Sequence, residues 1–210
     1  MKQIILILLA ALIASQVMAG TTDNLLKIYA QLADRTILRG SLPELPATIT
    51  SQIPKDKANA VIFIEDQLKV NRLDVVRDGT KFVMILPTGW ENSPLAAALA
   101  KLPAPSAEVA TTSGSTEAAT TPGIPAGTIN FQNIRLDSLL EIYSKLRGRT
   151  LVRPNSLPDV LINFRTQTPL TRNEVIHAFD VILLLNGIAT IDDGDKFVKV
   201  VPAKSAERTR

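Results

Sequence analysis

Few side chains in this sequence are suited to acid–base or nucleophilic chemistry. His177 is the only histidine, and none of the 210 residues is a cysteine. The absence of cysteine excludes a thiol nucleophile, a thiolate metal site and a disulfide. One imidazole does not make a catalytic site, because a general base needs a positioned partner. We therefore predict that the protein is not an enzyme and has no catalytic residues; a hydrolase whose site the sequence does not reveal is the alternative.

Three carboxylates crowd a short segment near the end of the chain, where calcium binding is the chemistry to consider. Asp192, Asp193 and Asp195 lack the ligand spacing and the terminal glutamate of a calcium loop, and the matching segment around Asp78 has a single carboxylate. A polar turn is the better interpretation. The glycine patterns that bind phosphate groups are also missing. We expect no metal, no cofactor and no small-molecule substrate.

The charge balance bears on nucleic-acid binding. Lysine and arginine number 23 against 20 aspartate and glutamate residues, a formal net charge of +3. This excess is too small to indicate a nucleic-acid-binding protein. An apolar content of 46% with 20% charged residues is ordinary for a globular chain that buries a core. We expect no nucleic-acid partner.

The first nineteen residues have the organisation of a secretory signal peptide. Lys2 supplies the positive charge, Ile4–Ile13 form an apolar run, and Val17–Ala19 have the small-residue pattern of a cleavage site. A membrane span needs about 20 apolar residues, and Ser15 interrupts this run earlier. We predict cleavage after Ala19 and export of a soluble protein, with an uncleaved N-terminal anchor as the alternative.

The rest of the chain contains an internal repeat. Asp23–Arg39 (DNLLKIYAQLADRTILR) and Asp137–Arg153 (DSLLEIYSKLRGRTLVR) are identical at nine of seventeen positions, with an offset of 114 residues. After one inserted residue the offset becomes 115 and matches Asp78–Pro87 (DGTKFVMILP) to Asp193–Pro202 (DGDKFVKVVP). The match runs for about 65 residues, longer than the units of 20 to 50 residues that stack into solenoids. It indicates a duplicated domain.

A stretch of different composition separates the two copies. In Pro103–Gly127, 21 of 25 residues are Ala, Thr, Pro, Ser or Gly, which is typical of a flexible linker. Such a linker would let two domains reorient independently. The predicted organisation is a signal peptide (1–19), a first domain (20–90), a short helix and linker (91–127), a second domain (128–203) and a basic tail (204–210).

The second copy predicts a small α+β domain with the order strand, helix, strand, strand, helix, strand, strand. Its first helix carries an apolar stripe that includes Tyr143, and Tyr29 has the same place in the first copy. Both tyrosines are expected to be core residues rather than ligands. Thr171–Glu174 has the pattern of a capping box that opens the second helix. Asp193-Gly194 predicts the turn of the final hairpin.

The first copy repeats this order without the opening strand, because only residues 20–22 precede its helix. A sheet that lacks a strand exposes unpaired backbone groups, to which a strand from a partner, another copy or the chain's own linker can add. In the closing strands, Met84 corresponds to Lys199, so one face of the last strand is more polar in the second copy than in the first. The candidate partner-binding strand edge is Lys196, Phe197, Val198, Lys199, Val200 and Val201.

Several segments of the second copy together carry a family resemblance. They are the apolar opening strand, the basic turn after the first helix, TPLTRNE (Thr168–Glu174), LNG (Leu185–Gly187) and KVVP (Lys199–Pro202). With these features, Thr128–Pro202 resembles the short N-terminal periplasmic domain of secretins, the outer-membrane channels of type II secretion and type IV pilus systems. Asp23–Pro87 resembles it more weakly.

The resemblance implies two helices between small sheets in each domain and a periplasmic docking or ring-forming role. Secretins continue into a channel, whereas this sequence ends at Arg210, so no channel-forming part is expected. The expected function is an exported interaction module, an accessory of secretin-type secretion or pilus machinery. Its expected partners are envelope proteins, among them a second copy of the chain that would bind by strand pairing. A related short domain at the N-terminus of TonB-dependent receptors implies the alternative, a signalling or docking module.

Overall fold

The computed structural model describes residues 21–103, 123–154 and 156–206. These residues form an α+β protein, as predicted, with helices and small sheets. We call residues 21–103 the first half and residues 123–206 the second half. The predicted signal peptide, the middle of the predicted linker and the last four residues of the tail lie outside the described residues. Within the described ranges, no helix is both long enough and apolar enough to cross a bilayer.

The first half has one sheet with two helices on one face. Its strands are ordered β1-β3-β2, with β1 parallel and β2 antiparallel to β3, and α1 and α3 cover one side. The elements are α1 (Thr21–Ala33), β1 (Thr36–Arg39), α2 (Thr48–Ser51), α3 (Lys57–Val70), β2 (Leu73–Asp78), β3 (Phe82–Pro87), a 3-10 helix (Trp90–Asn92) and α4 (Pro94–Leu99).

The second half has a three-stranded sheet of the same order and strand directions, β5-β8-β7, and a separate ribbon of β4 and β6. The ribbon is antiparallel, and its register shifts once between Phe131 and Ile134. The elements are β4 (Asn130–Arg135), α5 (Leu136–Arg147), β5 (Thr150–Val152), β6 (Leu161–Arg165), α6 (Arg172–Leu185), β7 (Ile188–Asp193), β8 (Phe197–Pro202) and α7 (Ala203–Ala206).

Local sequence signals set several ends of these elements. The Glu174 N–H donates to the Thr171 hydroxyl and the Thr171 N–H donates to the Glu174 carboxylate, so the predicted capping box of α6 is confirmed. Gly79 and Gly194 begin the two hairpin turns with positive φ angles of 62° and 66°, which glycine adopts without steric cost. Asp-Gly therefore directs the chain back at the same place in each half.

The first half lacks two strands of the predicted order, whereas one omission was expected. Among the described residues, the opening strand and the strand predicted after β1 are both absent, and the short helix α2 lies where the latter was expected. The corresponding strands of the second half, β4 and β6, pair only with each other. A strand without a partner leaves its backbone groups unpaired, so the absence of one accounts for the absence of the other. The first sheet thus has as many strands as its counterpart in the second half, and the expectation that it lacks one is wrong.

Strand β3 is buried on both faces. Val83 and Ile85 pack in a cluster with α1 and α3, whereas Phe82, Met84 and Leu86 point the other way into a cluster built mainly from the second half. A strand covered on both faces has a continuous apolar sequence, which explains the composition of β3. The first sheet is therefore a layer between the helices of its own half and the second half.

Helix α6 is the element that covers the far face of the first sheet. It packs against β1 and α4 as well as against β7 and α5 of its own half. Its buried residues are distributed around the whole helix, the mark of a core helix. The layers of the protein therefore follow the order α1 and α3, first sheet, α6, second sheet. The prediction of two independently reorienting domains is wrong, because the halves share one apolar cluster.

The chain on either side of residues 104–122 also packs against the second half. The predicted short helix is present as α4, and Trp90, Leu95 and Leu99 join the shared cluster. Ile124 and Leu170 exchange two backbone hydrogen bonds of 2.7 and 3.0 Å. The second half therefore begins before the predicted boundary at residue 128.

The junction between the halves leaves no room for a side chain at Gly40, directly after β1. A methyl group there would lie 2.5 Å from the backbone oxygen of Leu185, at the end of α6. We expect Gly40→Ala to lower the free energy of unfolding, measured by urea denaturation, by about 1–3 kcal/mol through overpacking. In the control Gly123→Ala the methyl group would lie 3.4 Å from the Leu170 oxygen, an ordinary contact, and the change should stay within about 0.5 kcal/mol. Equal losses in the two variants would contradict a tight junction at Gly40.

Candidate interaction surface

The predicted partner-binding strand edge, Lys196 to Val201, lies at the middle of the second sheet. Lys196 belongs to the hairpin turn, and the other residues belong to β8, which pairs with β7 along its length and with β5 over Phe197–Lys199. Paired backbone groups are not available to an added strand. The prediction of a free edge is therefore wrong for this strand, and the same residues contribute instead to a face of the sheet.

Alternate side chains of β8 point to opposite faces. Val198 and Val200 are fully buried in the shared apolar cluster, whereas Phe197 and Lys199 are exposed. The strands on either side add further exposed apolar groups. We call this surface the outer face of the second sheet; it consists of Val152, Ile191, Phe197, Lys199 and Val201.

The first sheet has a matching face, and there it is covered. Phe82, which corresponds to Phe197 in the internal repeat, is 1% exposed, against 44% for Phe197. The residues that are paired across the three strands also correspond. They are Leu38, Met84 and Val76 in the first sheet, and Val152, Lys199 and Ile191 in the second. Because α6 lies on the first sheet and the described residues leave the second uncovered, the two halves differ in what they present to solvent.

Lys199 makes the outer face amphipathic. Its ammonium group lies 2.9 Å from the Asp193 carboxylate, and both side chains are about half exposed. An ion pair of this exposure contributes about 0–1 kcal/mol, so Lys199 is easily released to another anion. A flat apolar surface with one central cation suits a protein partner that offers apolar side chains and a carboxylate.

Two of the three aspartates of the hairpin beside the outer face are paired with cations. Asp192 contacts Arg147 and Arg149 at 3.2 and 3.1 Å, and Asp193 contacts Lys199. These ion pairs occupy two of the three carboxylates that a calcium ion would need. In the part of the chain that the structure describes, no three His, Asp or Glu side chains are grouped to hold a metal ion.

In the described ranges, four polar contacts join the halves beside the shared apolar cluster, and two of them are between side chains. His177 Nε2 lies 2.6 Å from Asp78 Oδ2, and Lys81 Nζ lies 2.8 Å from Glu174 Oε2. Burial acts to raise the pKa of Glu174, but the Lys81 ammonium group and the hydrogen bonds of the capping box outweigh burial, and the net pKa is lowered. The two contacts fix the position of α6 along the first sheet.

His177 is an interface residue. It is 7% exposed, and its ring centroid lies 5.9 Å from that of Phe82 in the first half. Ile62, its match in the repeat, is 57% exposed, because α3 has no second sheet against that side. An imidazole–carboxylate pair is one part of many acid–base sites, yet Nδ1 of His177 has no hydrogen-bond partner among the described residues. The geometry suits a structural contact between the halves.

Each half contains a buried tyrosine that donates a hydrogen bond to a carboxylate. Tyr29 donates to Glu65 at 2.6 Å and Tyr143 donates to Asp180 at 2.5 Å. Burial, aided by the neighbouring carboxylate, raises the pKa of both hydroxyls, which keeps them protonated as donors. Burial also raises the pKa of Asp180, against the hydrogen bond from Tyr143. The prediction that both tyrosines are core residues is confirmed.

A cleft of about 700 Å³ lies between α1 and the β4–β6 ribbon. Four of its polar side chains pair with one another: Asp23 pairs with Arg39, and Asn163 donates a hydrogen bond to Asn133. Mutual pairing leaves these groups without a need for a ligand. The outer face is therefore the better candidate for a binding surface.

Sequence reasoning missed Val152 and Ile191, which complete the outer face. Each of them lies beside Lys199 on a neighbouring strand. The available signal in the sequence is Lys199, which interrupts the apolar residues of β8, whereas the matching residues of β3 are apolar without interruption. That contrast distinguishes a strand covered on one face from a strand covered on both.

Comparison with known proteins finds similarity to a solved structure of a small domain. No protein family and no curated protein matches the chain. The chain is similar to the N0 domain of the type II secretin from enterotoxigenic Escherichia coli, with 25% sequence identity and a TM-score of 0.34. The match covers 38% of this chain and 99% of that domain. The length matched is that of one small domain.

The contrast between the two sheet faces predicts different costs for truncating matched phenylalanines. Phe82→Ala should lower the free energy of unfolding by about 3–5 kcal/mol, because it leaves a cavity under α6. Phe197→Ala, at the matched exposed position, should change it by no more than about 0.5 kcal/mol. Urea denaturation of both variants measures the difference. Similar costs at the two positions would mean that the outer face is covered.

The Lys81–Glu174 contact predicts an acid-sensitive junction. A lowered folded-state pKa means that the charged Glu174 stabilises the protein above its unfolded-state pKa of about 4.3 and that this contribution is lost as the pH falls through the folded-state value. Glu174→Gln keeps the capping pattern but removes the ion pair, at a cost of about 1 kcal/mol at pH 7. The stability difference between wild type and variant should shrink as the pH falls below about 4.

Urea denaturation at several pH values measures this difference, and Glu141→Gln is the control. Glu141 also has a pKa lowered by a lysine, Lys145, but the pair is fully exposed on α5 and far from the junction. A Glu174→Gln difference that persists unchanged at acidic pH would show that the ion pair does not stabilise the junction.

Proposed function

We propose that the protein is an exported periplasmic protein–protein interaction module, an accessory of secretin-type secretion or pilus machinery, and that the outer face is its binding surface. The observation that carries the proposal is the contrast between the matched faces of the two sheets. One is buried under α6, and the other presents Phe197 and its apolar neighbours to solvent. Exposed apolar groups that cluster on one surface are typical of an interaction site.

The sequence supports the compartment and the machinery. The N-terminal pattern that ends at Ala19 is typical of exported proteins. The resemblance of Thr128–Pro202 to the short N-terminal periplasmic domain of secretins supports a role in envelope secretion or pilus assembly. The proposal assigns binding to the protein and no catalytic step. A signalling module of the kind found in TonB-dependent receptors would require a different partner, a periplasmic regulator.

Affinity purification of the full chain from the native cell envelope tests the proposal. Wild-type protein should retain components of a secretion or pilus system, and Phe197→Asp should lose them because a carboxylate disrupts the apolar surface. Recovery of a periplasmic regulator in place of those components would overturn the secretion role in favour of signalling. An absence of enriched envelope proteins would overturn both.

A matched surface variant separates the outer face from general effects. Glu141→Ala removes an exposed side chain of α5, away from the outer face, and should leave the recovered proteins unchanged. Phe197 is on the surface, so Phe197→Asp should unfold at nearly the same urea concentration as the wild type. Equal recovery with wild type and Phe197→Asp would show that partners bind elsewhere.

A further inference from the structure

The layers of the chain end in two different surfaces. The solvent side of α3 lies at one end and the outer face of the second sheet lies at the other, while α6 packs on the first sheet between them. We propose that a second copy of this chain binds the outer face and that it does so with α3, head to tail, in the way α6 binds the first sheet within one chain. The inference rests on the proposed function and assigns a partner to its binding surface.

The internal junction identifies the residues of α3 that would make this contact. α3 and α6 correspond in the internal repeat, and on α6 His177 contacts Phe82 while Leu185 approaches the residue after β1. The matching positions on α3 are Ile62 and Val70. They are 57% and 75% exposed, so a helix of the same shape presents apolar groups where α6 makes its contacts.

Exposed apolar side chains are concentrated on these two surfaces. Of the large apolar side chains that are exposed in the described ranges, the two on α3 and three on the outer face account for all but Leu161 of β6. The five are Ile62, Val70, Val152, Ile191 and Phe197. Inside the chain, the corresponding pair of surfaces is buried in the shared apolar cluster. The chain thus forms this helix-on-sheet contact once. It also presents an uncovered helix surface at one end and an uncovered sheet surface at the other.

The charges that distinguish the end surfaces from the internal junction are complementary. Met84 and Val181 are both buried in the shared cluster, one from the sheet and one from the helix. In the repeat, Met84 corresponds to Lys199 and Val181 to Asp66, and both charged residues are exposed. A sheet that carries a cation and a helix that carries an anion favour this orientation and make the association weaker at high salt.

A head-to-tail contact is heterologous, because two different surfaces meet. Each added copy leaves one α3 and one outer face unused, so assembly continues until it closes into a ring or extends as a filament. A symmetric pairing of two outer faces would instead stop at a dimer and would bring two Lys199 side chains together. The two arrangements give different results with variants that block one end.

Sedimentation velocity of the purified mature chain at low salt, from about 1 μM to about 1 mM, tests the inference in the range of weak dissociation constants. Wild type should grow beyond a dimer. Ile62→Asp blocks the helix end and Phe197→Asp blocks the sheet end, so each variant alone should stay monomeric, and an equal mixture should form dimers and nothing larger. A monomeric wild type, assembly by either variant alone, or a mixture without dimers would overturn the inference.

Charge reversal provides a second test that introduces no charge at an apolar position. Lys199→Glu should weaken association at least tenfold, and adding Asp66→Lys in the same chain should restore it. Lys145→Glu on α5, an exposed reversal away from both surfaces, is the control and should associate as the wild type does. Unchanged association of Lys199→Glu, or no recovery in the double variant, would contradict the contact.

These experiments contain no other protein, which separates the inference from the proposed function. A chain that stays monomeric but still retains secretion components through Phe197 removes the second copy as the partner and leaves the proposed function in place. If the chain neither associates with itself nor retains an envelope protein, the outer face is not an interaction surface.

Discussion

The burial of the far face of the first sheet under α6 is the contact on which the arrangement of the whole chain depends. It explains why β3 is apolar on both faces, why α6 is buried on all sides, and why the two halves share a core. The same contact gives corresponding residues opposite environments. His177 is buried where Ile62 is exposed, and Phe82 is buried where Phe197 is exposed, although each pair occupies matched positions.

Apolar burial holds the halves together, and polar groups determine how they meet. Burial is non-directional, so a flat sheet and a helix are able to slide along each other without losing much contact. The Asp78–His177 and Lys81–Glu174 contacts, together with the hydrogen bond from the Gln167 N–H to the Thr36 hydroxyl, have defined distances and remove that freedom. They lie at one end of the contact, and the close approach at Gly40 limits the other.

The sequence was sufficient for the local parts of the fold and insufficient for the arrangement of those parts. The α+β class, the capping box at Thr171 and the turns at Gly79 and Gly194 depend on neighbouring residues, and their patterns predicted them correctly. The order of strands within a sheet depends on residues far apart in the chain. The residues from Lys196 to Val201 were therefore correctly chosen as part of the candidate surface but wrongly expected to be an edge, since nothing within β8 indicates which strands lie beside it. The docking of the halves was missed because a linker sequence does not report on what its two ends touch.

The placement of α6 also has a consequence for the order in which the protein matures. α6 begins about 85 residues after the end of β3, and a ribosome adds about 5–20 residues per second. For several seconds the first half is complete in sequence while Phe82, Met84 and Leu86 have nothing to pack against. Newly made chains would therefore pass through an aggregation-prone intermediate with an exposed apolar sheet face. Chaperones that cover this face until α6 has been synthesised would raise the yield of correctly folded protein.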